Sequence, residues 1–418
     1  MAFARATSGS RIGRALAVFG PGLVVMLADT DVGSIITAGQ SGVQWGYRLL
    51  LLQLVLMPIL YMVQELTVRL GIFTGRGHGE LIRDTFGPVW AWVSAAGLAV
   101  ATIGALLTEF SGVAGVGEMF GVSRGVTLPL AAAALLAMVA TGSYRRVERA
   151  AIVIGLFELA FFGVAWAAQP DPHAMLRQAL QVPVRDPDYL YLVAANIGAV
   201  IMPWMIFYQQ SAIADKKLRP EHFAAARWDT AAGAVVTQLV MAAVLVAGAS
   251  LAGPQAAHTS PATLSLATVG DMSRALTPLL GVQAGRVVFG LGVLGAAMVA
   301  AVVSSLALAW GLGEVAGYRR SLEYFPLQAR WFYGCYATCI VGGALLVGLA
   351  PDLVSLNVGV QVMNALLLPV VMGFLVLLAV RALPPAVRLR GAYLWVVAAV
   401  SGVTCALGVW GGLSGLFQ

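Results

Sequence analysis

The chain of 418 residues is 60% hydrophobic and only 11% charged, with a mean hydropathy of +0.86, which excludes a soluble protein. About 250 apolar residues, at roughly 20 per helical span, supply about ten to twelve membrane spans and leave no room for a sizeable soluble domain. The net charge of +6 and pI near 9.4 come from short stretches between apolar runs, so they read as topogenic charge and not as nucleic-acid binding.

Runs such as Leu49–Met62 and Val235–Leu251 are apolar on every face, unlike the alternating segments of a transmembrane barrel. The fold class is therefore all-α. Eleven spans are predicted, at approximately 15–40, 46–70, 88–118, 124–142, 149–168, 188–213, 228–252, 283–312, 330–349, 353–380 and 391–415. The first lacks a small-residue cleavage site and carries two aspartates, so it reads as a span and not as a removable signal peptide. The 48 glycines suit helices that pack closely through small residues. Cys335, Cys339 and Cys405 all fall in apolar stretches and read as small buried hydrophobes, with no disulfide framework or zinc site.

Basic residues test the topology, because they gather in cytoplasmic loops. Alternate ends of these spans hold all but six of the 25 Lys and Arg residues. Those ends carry Arg5, Arg11 and Arg14, then Arg69, Arg76 and Arg83, and so on to Arg381, Arg388 and Arg390. The opposite ends carry Arg48, Arg124, Arg177, Arg185, Arg274 and Arg286. The asymmetry predicts a cytoplasmic N-terminus and an external C-terminus.

Two spans are interrupted. In the first, Leu23–Ala28 gives way to Asp29-Thr30-Asp31-Val32-Gly33-Ser34; in the sixth, Pro203 falls inside an apolar run. A proline kink and a polar helix start would account for these residues without function. The two spans, however, open successive sets of five with opposite orientation, which is the arrangement of an inverted-repeat transporter with a central site. The whole chain, 1–418, then reads as a single transporter domain, with repeats at approximately 15–168 and 188–380 and an extra helix at 391–415.

Charges within spans need a partner or a task. Asp29 and Asp31 point about 200° apart on a regular helix, whereas an unwound segment lets either reach the bundle centre. Across the bundle, Pro203 has no N–H and leaves the carbonyl of Ala199 without its helical bond. Carboxylate, Ser34 hydroxyl, freed carbonyl and the Met202 thioether together suit a divalent cation, and the soft sulfur favours manganese, iron or cadmium over magnesium and calcium. Methionine in an apolar helix is more often simple packing.

The runs Phe19-Gly20-Pro21-Gly22, Asp31-Val32-Gly33-Ser34, Arg69-Leu70-Gly71-Ile72-Phe73-Thr74-Gly75-Arg76 and Gly198-Ala199-Val200-Ile201-Met202-Pro203 resemble the natural resistance-associated macrophage protein (Nramp) family of divalent metal transporters. The resemblance implies the leucine-transporter fold of two inverted five-helix repeats. Family members carry Asp-Pro-Gly-Asn on the first span and Met-Pro-His on the sixth. By that match Asp31, Ser34, Ala199 and Met202 would hold the metal, with Ser34 in place of the asparagine and Trp204 in place of the histidine. Thr108-Glu109 looks like the family's Thr-Asp, which gives Glu109 the position linked to proton movement. Gly112 stands where a second glutamate is usual. With two customary protonatable groups missing, the resemblance implies weak or absent proton coupling.

Asp29 resembles the extra acidic residue of the related magnesium-transporting branch, whereas Met202 argues for transition metals. Gln361 and Asn364, three apart on the tenth span, face either the site or a neighbouring helix. Asp29, Trp204, Gln361 and Asn364 are thus candidates for a supporting layer or gate. The four histidines, His78, His173, His222 and His258, fall in predicted loops or helix ends, so no imidazole is expected to titrate near the site. Glu65, Glu118, Glu158 and Glu314 read as paired structural acids, and Gly75-Arg76-Gly77-His78-Gly79-Glu80 reads as a flexible turn.

No catalytic constellation for an enzyme is present, and the metal is expected as substrate, with no cofactor. The expected partners are that ion and the lipid of the inner (cytoplasmic) membrane, with no nucleic acid and no obligate protein partner. The leading reading is a secondary transporter of Mn2+ or Fe2+. Facilitated Mg2+ transport and sodium- or proton-linked carriage of a small organic acid are the alternatives. No Lys or Arg lies deep in a predicted span, which favours a cation over an anion.

Overall fold

Apolar runs become helices, and the breaks between them fall where the sequence removes a backbone donor or supplies a cap. The computed structural model describes residues 20–252, 269–273, 281–349 and 356–416. Arg5, Arg11, Arg14, His258 and Arg274, used above for charge and histidine placement, lie outside the described residues. In chain order the helices are α1 (Pro21–Asp29), α2 (Val32–Trp45), α3 (Leu50–Thr74), α4 (His78–Phe86), α5 (Pro88–Met119), α6 (Arg124–Val139), α7 (Tyr144–Gly155) and α8 (Ala160–Ala167). They continue with α9 (Pro172–Ala179), α10 (Pro187–Val200), α11 (Pro203–Asp215), α12 (Phe223–Ala252), α13 (Val282–Ala316), α14 (Arg330–Leu349), α15 (Asn357–Arg381) and α16 (Gly391–Leu416).

By length and apolar composition, nine stretches of the described residues can cross a membrane. One of them, Val32–Thr74, joins α2 and α3 through a 3-10 turn at Gly46–Leu49, and α6 is shorter than a full span. The turn falls at the start of the expected second span and α6 falls within the expected fourth. The fifth expected span begins earlier than predicted, at Tyr144, and passes through a 3-10 turn at Leu156–Leu159 between α7 and α8.

Both predicted interruptions are breaks. α1 ends at Asp29; Thr30 leaves the helix (φ −76, ψ 49), and Asp31 caps α2 by accepting a hydrogen bond from the Ser34 N–H. Thr237 Oγ1 on α12 donates to the carbonyl of Met26 near this end, satisfying an acceptor at membrane depth. The other end of α1 is also held by α12: Asp229 Oδ2 accepts from Gly20 N at 3.1 Å and Gly22 N at 2.8 Å, as a side-chain cap would. In the sixth span α10 stops at Val200, and α11 starts at Pro203, which at the first helical position loses no hydrogen bond.

Burial ranks the spans. The most apolar window of Pro187–Asp215 is 94% buried, against 22% for Gly391–Ser414 and 28% for Arg330–Leu349. The broken sixth span is therefore central, and the ninth and eleventh are peripheral. Exposed tryptophans such as Trp90, Trp166, Trp331 and Trp395 mark the outer surface. Cys335, Cys339 and Cys405 are free and half-buried, so the expectation that they are buried is corrected: they sit on helices whose outward sides face lipid. α12 packs along α1 and α2, α13 along α5, and α10 against α15 and α16.

Two contacts need glycine. A Cβ on Gly198 would overlap the Gln361 carbonyl oxygen of α15, and one on Gly42 would overlap the Leu245 carbonyl oxygen of α12. Backbones meet directly at both points.

Polar side chains also tie the centre. Gln53 Nε2 donates to Asn196 Oδ1 at 2.6 Å, and Asn196 Nδ2 lies 2.8 Å from Ser41 Oγ and 2.7 Å from the Leu192 carbonyl. Asn196→Ala is expected to lower stability by about 1 kcal/mol, the scale of an interhelical hydrogen bond in a membrane protein. Thermal unfolding in detergent measures it, and an unchanged midpoint would show that the network does not hold α2, α3 and α10 together.

Candidate functional site

The two breaks face each other. Ser34 Oγ, on the first turn of α2, donates to the carbonyl of Ala199 at 3.0 Å, the carbonyl that Pro203 deprives of its helical donor. Both residues are buried. Asp31 is fully buried beside them; its Oδ1 accepts from Ser34 N at 2.6 Å and from Gln361 Nε2 at 3.2 Å. Its Oδ2 has only a 3.5 Å contact with the same amide. Met202, also fully buried, is the cap residue of α11, three positions beyond Ala199.

Gln361 and Asn364 both turn inward from α15. Asn364 Nδ2 donates to Gln361 Oε1 at 2.9 Å, which orients the amide so that its NH2 faces Asp31. This approach depends on Gly33, where a Cβ would overlap Gln361 Nε2. Trp204 follows Pro203, is fully buried, and has an indole N–H without a hydrogen-bond partner. An indole donates but does not accept, so Trp204 offers a cation its ring and no lone pair.

Glu109 on α5 reaches the same helix start. Its Oε2 accepts from Val32 N at 3.3 Å, and its Oε1 lies 2.8 Å from Thr108 Oγ1. A carboxylate so placed satisfies an otherwise unpaired N–H at the positive end of α2. Gly112, one turn further on, faces Val32: a Cβ there would overlap Val32 Cγ2. The valine side chain occupies the space into which a glutamate at 112 would extend.

Asp29, which precedes Thr30 at the end of α1, is buried, and neither carboxylate oxygen has a hydrogen-bond partner. The four glutamates read as structural divide into two groups. Glu65 pairs with Arg69 at 2.6 Å, Glu118 with Arg124 at 2.6 Å, and Glu314 accepts from Ser211 Oγ at 2.6 Å and Gly79 N at 2.8 Å. Glu158 is the exception, fully buried with both oxygens unpartnered. Its lone charge in an apolar run was the signal available in the sequence.

A second correction concerns the turn at 75–80. Residues from His78 onward form α4, and His78 is fully buried, with Nδ1 3.0 Å from Gln210 Oε1 and its ring edge-on to Phe207. Burial lowers the imidazole to about 4, against the opposing effect of the hydrogen bond it donates to Gln210 Oε1, so this histidine stays neutral near pH 7. Hydrogen bonding to a distant helix holds the segment where local glycines predict flexibility.

Among the described residues no group of three or more His, Cys, Asp or Glu side chains is placed to hold a metal. Any cation held at the facing breaks must therefore take mixed donors: one carboxylate, a hydroxyl, a carbonyl and a thioether.

Two discontinuous helices meeting at a buried polar centre, within a bundle of apolar spans, define a multi-pass membrane transporter. Residues 22–414 match the natural resistance-associated macrophage protein-like family, Nramp, and the chain belongs to it. It is 32% identical over 328 residues to the divalent metal cation transporter MntH of Yersinia pestis (strain Pestoides F), covering 75% of this chain and 76% of that one. To MntH of Acidiphilium cryptum (strain JF-5) it is 29% identical over 433 residues, with coverages of 97% and 93%. Among solved structures it resembles the Eremococcus coleocola manganese transporter in complex with an aromatic bis-isothiourea substituted compound, with a TM-score of 0.75 and 18% identity over 97% of this chain and 88% of that one. MhsT in complex with L-phenylalanine gives a TM-score of 0.59 at 16% identity, over 99% of this chain and 100% of that one. The fold is the leucine-transporter fold.

Proposed function

We propose that this protein is a secondary transporter that moves divalent metal ions, Mn2+ or Fe2+, across the inner (cytoplasmic) membrane by alternating access. The observation that carries the reading is the Ser34 to Ala199 hydrogen bond, which brings the two helix breaks together beside Asp31. Asp31 supplies the charge, Ser34 and the Ala199 carbonyl supply hard oxygens, and Met202 supplies a donor that tolerates soft ions. Membership of a family whose curated relatives are named divalent metal cation transporters supports the same substrate class. The protein acts as a carrier and not as an enzyme. The eleven-span topology, cytoplasmic N-terminus, external C-terminus and two inverted repeats belong to this proposal and rest on the distribution of Lys and Arg and on the paired breaks.

Facilitated Mg2+ transport is the second reading, and Asp29 favours it: a second buried carboxylate near the first raises affinity for a hard cation. Uptake by reconstituted protein across a panel of Mn2+, Fe2+, Cd2+, Mg2+ and small organic acids separates the readings, organic-acid carriage included. Mn2+ uptake at low micromolar concentration is expected, and uptake of Mg2+ alone would transfer the assignment to the second reading.

Proton coupling is expected to be weak. Trp204 does not titrate near neutral pH, Gly112 has no side chain, and Glu109 caps a helix. Metal uptake into proteoliposomes should proceed with little lumenal acidification, driven by the metal gradient and the membrane potential, and Glu109→Gln should change the rate by less than about threefold. Robust metal-dependent acidification, lost in Glu109→Gln, would refute this.

A further inference from the structure

Asp29 and Glu158 are buried acids outside the Mn2+ or Fe2+ site described above, and among the described residues they are the carboxylates with both oxygens buried and without a hydrogen bond. Each is at most 1% exposed, and none of their four carboxylate oxygens has a hydrogen-bond partner. They come from different elements: Asp29 closes α1, and Glu158 sits in the 3-10 turn between α7 and α8. The turn packs beside the break: α7 runs along α1, and a Cβ on Gly155, three residues before Glu158, would overlap Leu27, two residues before Asp29. Thr30 is itself fully buried, and its hydroxyl interacts with the Glu158 carboxylate without reaching hydrogen-bond geometry. The charged groups acting on Asp29 and Glu158 are all acidic. With no cationic side chain among the described residues acting on them, the two buried carboxylates are neutralised either by protons or by a bound cation, and the Thr30 hydroxyl beside them adds a neutral oxygen donor.

We propose that Asp29, Thr30 and Glu158 form a second cation site, selective for a small hard cation bound through oxygen alone. It lies on the side of the first-span break that faces the fifth span. Its donors differ from those at Asp31 in one decisive respect: no thioether is present, so soft ions gain nothing there. Asp29 and Asp31 flank one residue, Thr30, so occupancy of this site also sets the charge felt at Asp31. The site does not depend on which metal is transported, and its test does not require transport.

Binding of radioactive Na+ and of radioactive Mg2+ to the purified full-length protein is measured with and without saturating Cd2+, while calorimetry follows Cd2+ itself. One of the two hard ions is expected to bind saturably whether or not Cd2+ is present, which identifies it as monovalent or divalent. Its affinity should fall at least about tenfold in Glu158→Gln and in Asp29→Asn, because each removes one of the two anionic donors. Thr30→Val, which keeps the side-chain shape, should weaken it about threefold to tenfold. Saturable binding of neither ion, displacement of the bound ion by Cd2+, or unchanged affinity in Glu158→Gln would overturn the proposal. If Glu158→Gln fails to fold, unchanged affinity in Thr30→Val overturns it. Failure of the proposed metal transport shows instead as absent Cd2+ binding in the wild-type protein, an outcome independent of the hard-ion result.

Discussion

Asp31→Ala is expected to abolish binding of Mn2+ and Cd2+, with a loss of at least about 100-fold in affinity. A divalent ion in a buried site without its anionic donor lacks several kcal/mol of compensation for its own dehydration. The substitution also removes the cap of α2 and leaves the Gln361 amide without its acceptor, and cap loss alone costs about 0.5–2 kcal/mol. Asp31→Asn separates the two effects, because asparagine caps helices well yet carries no charge. Calorimetry should show metal binding lost in both variants, while the melting midpoint drops in the alanine variant and holds in the asparagine one. Unchanged Mn2+ affinity in either would remove Asp31 from the site.

Met202 is expected to decide selectivity. Met202→Ala should weaken Mn2+ and Cd2+ about tenfold or more and Mg2+ by less than about threefold, since only ions that tolerate sulfur gain from the thioether. Methionine at this position is fully buried, and truncating such a side chain to alanine costs about 2–5 kcal/mol in packing. Met202→Leu therefore serves as the partner variant: it nearly conserves volume and removes the sulfur, so its binding losses should match those of the alanine variant while its stability stays near wild type. Equal losses for all three ions would assign Met202 to packing. A wild-type protein that already prefers Mg2+ would favour the Mg2+ reading over Mn2+ or Fe2+.

Local chemistry suffices for the helix breaks and for the all-α architecture. Pro203 breaks the sixth span because a missing N–H acts on the carbonyl four residues earlier, a relation written within one turn. The cluster from Asp29 to Ser34 unwinds the first span for an equally local reason, since polar residues at membrane depth compete for backbone bonds. All-α architecture needs only the length and evenness of the apolar runs.

Tertiary structure decided which side chains meet. Gln361 reaches Asp31 across 330 positions only because Gly33 leaves room for its amide. Gly112 reads in the sequence as a lost glutamate, and in the fold it is the contact surface for Val32. His78 follows a glycine-rich stretch that predicts a turn, yet Gln210 and Phe207 hold it in a buried helix. Among the glutamates, Glu65, Glu118 and Glu314 have hydrogen-bonded partners, whereas Glu158 has none. The reason is common to all four cases: propensity and backbone breaks are set by neighbours within about one helical turn, whereas the partner of a buried polar group is set by which helices pack against it.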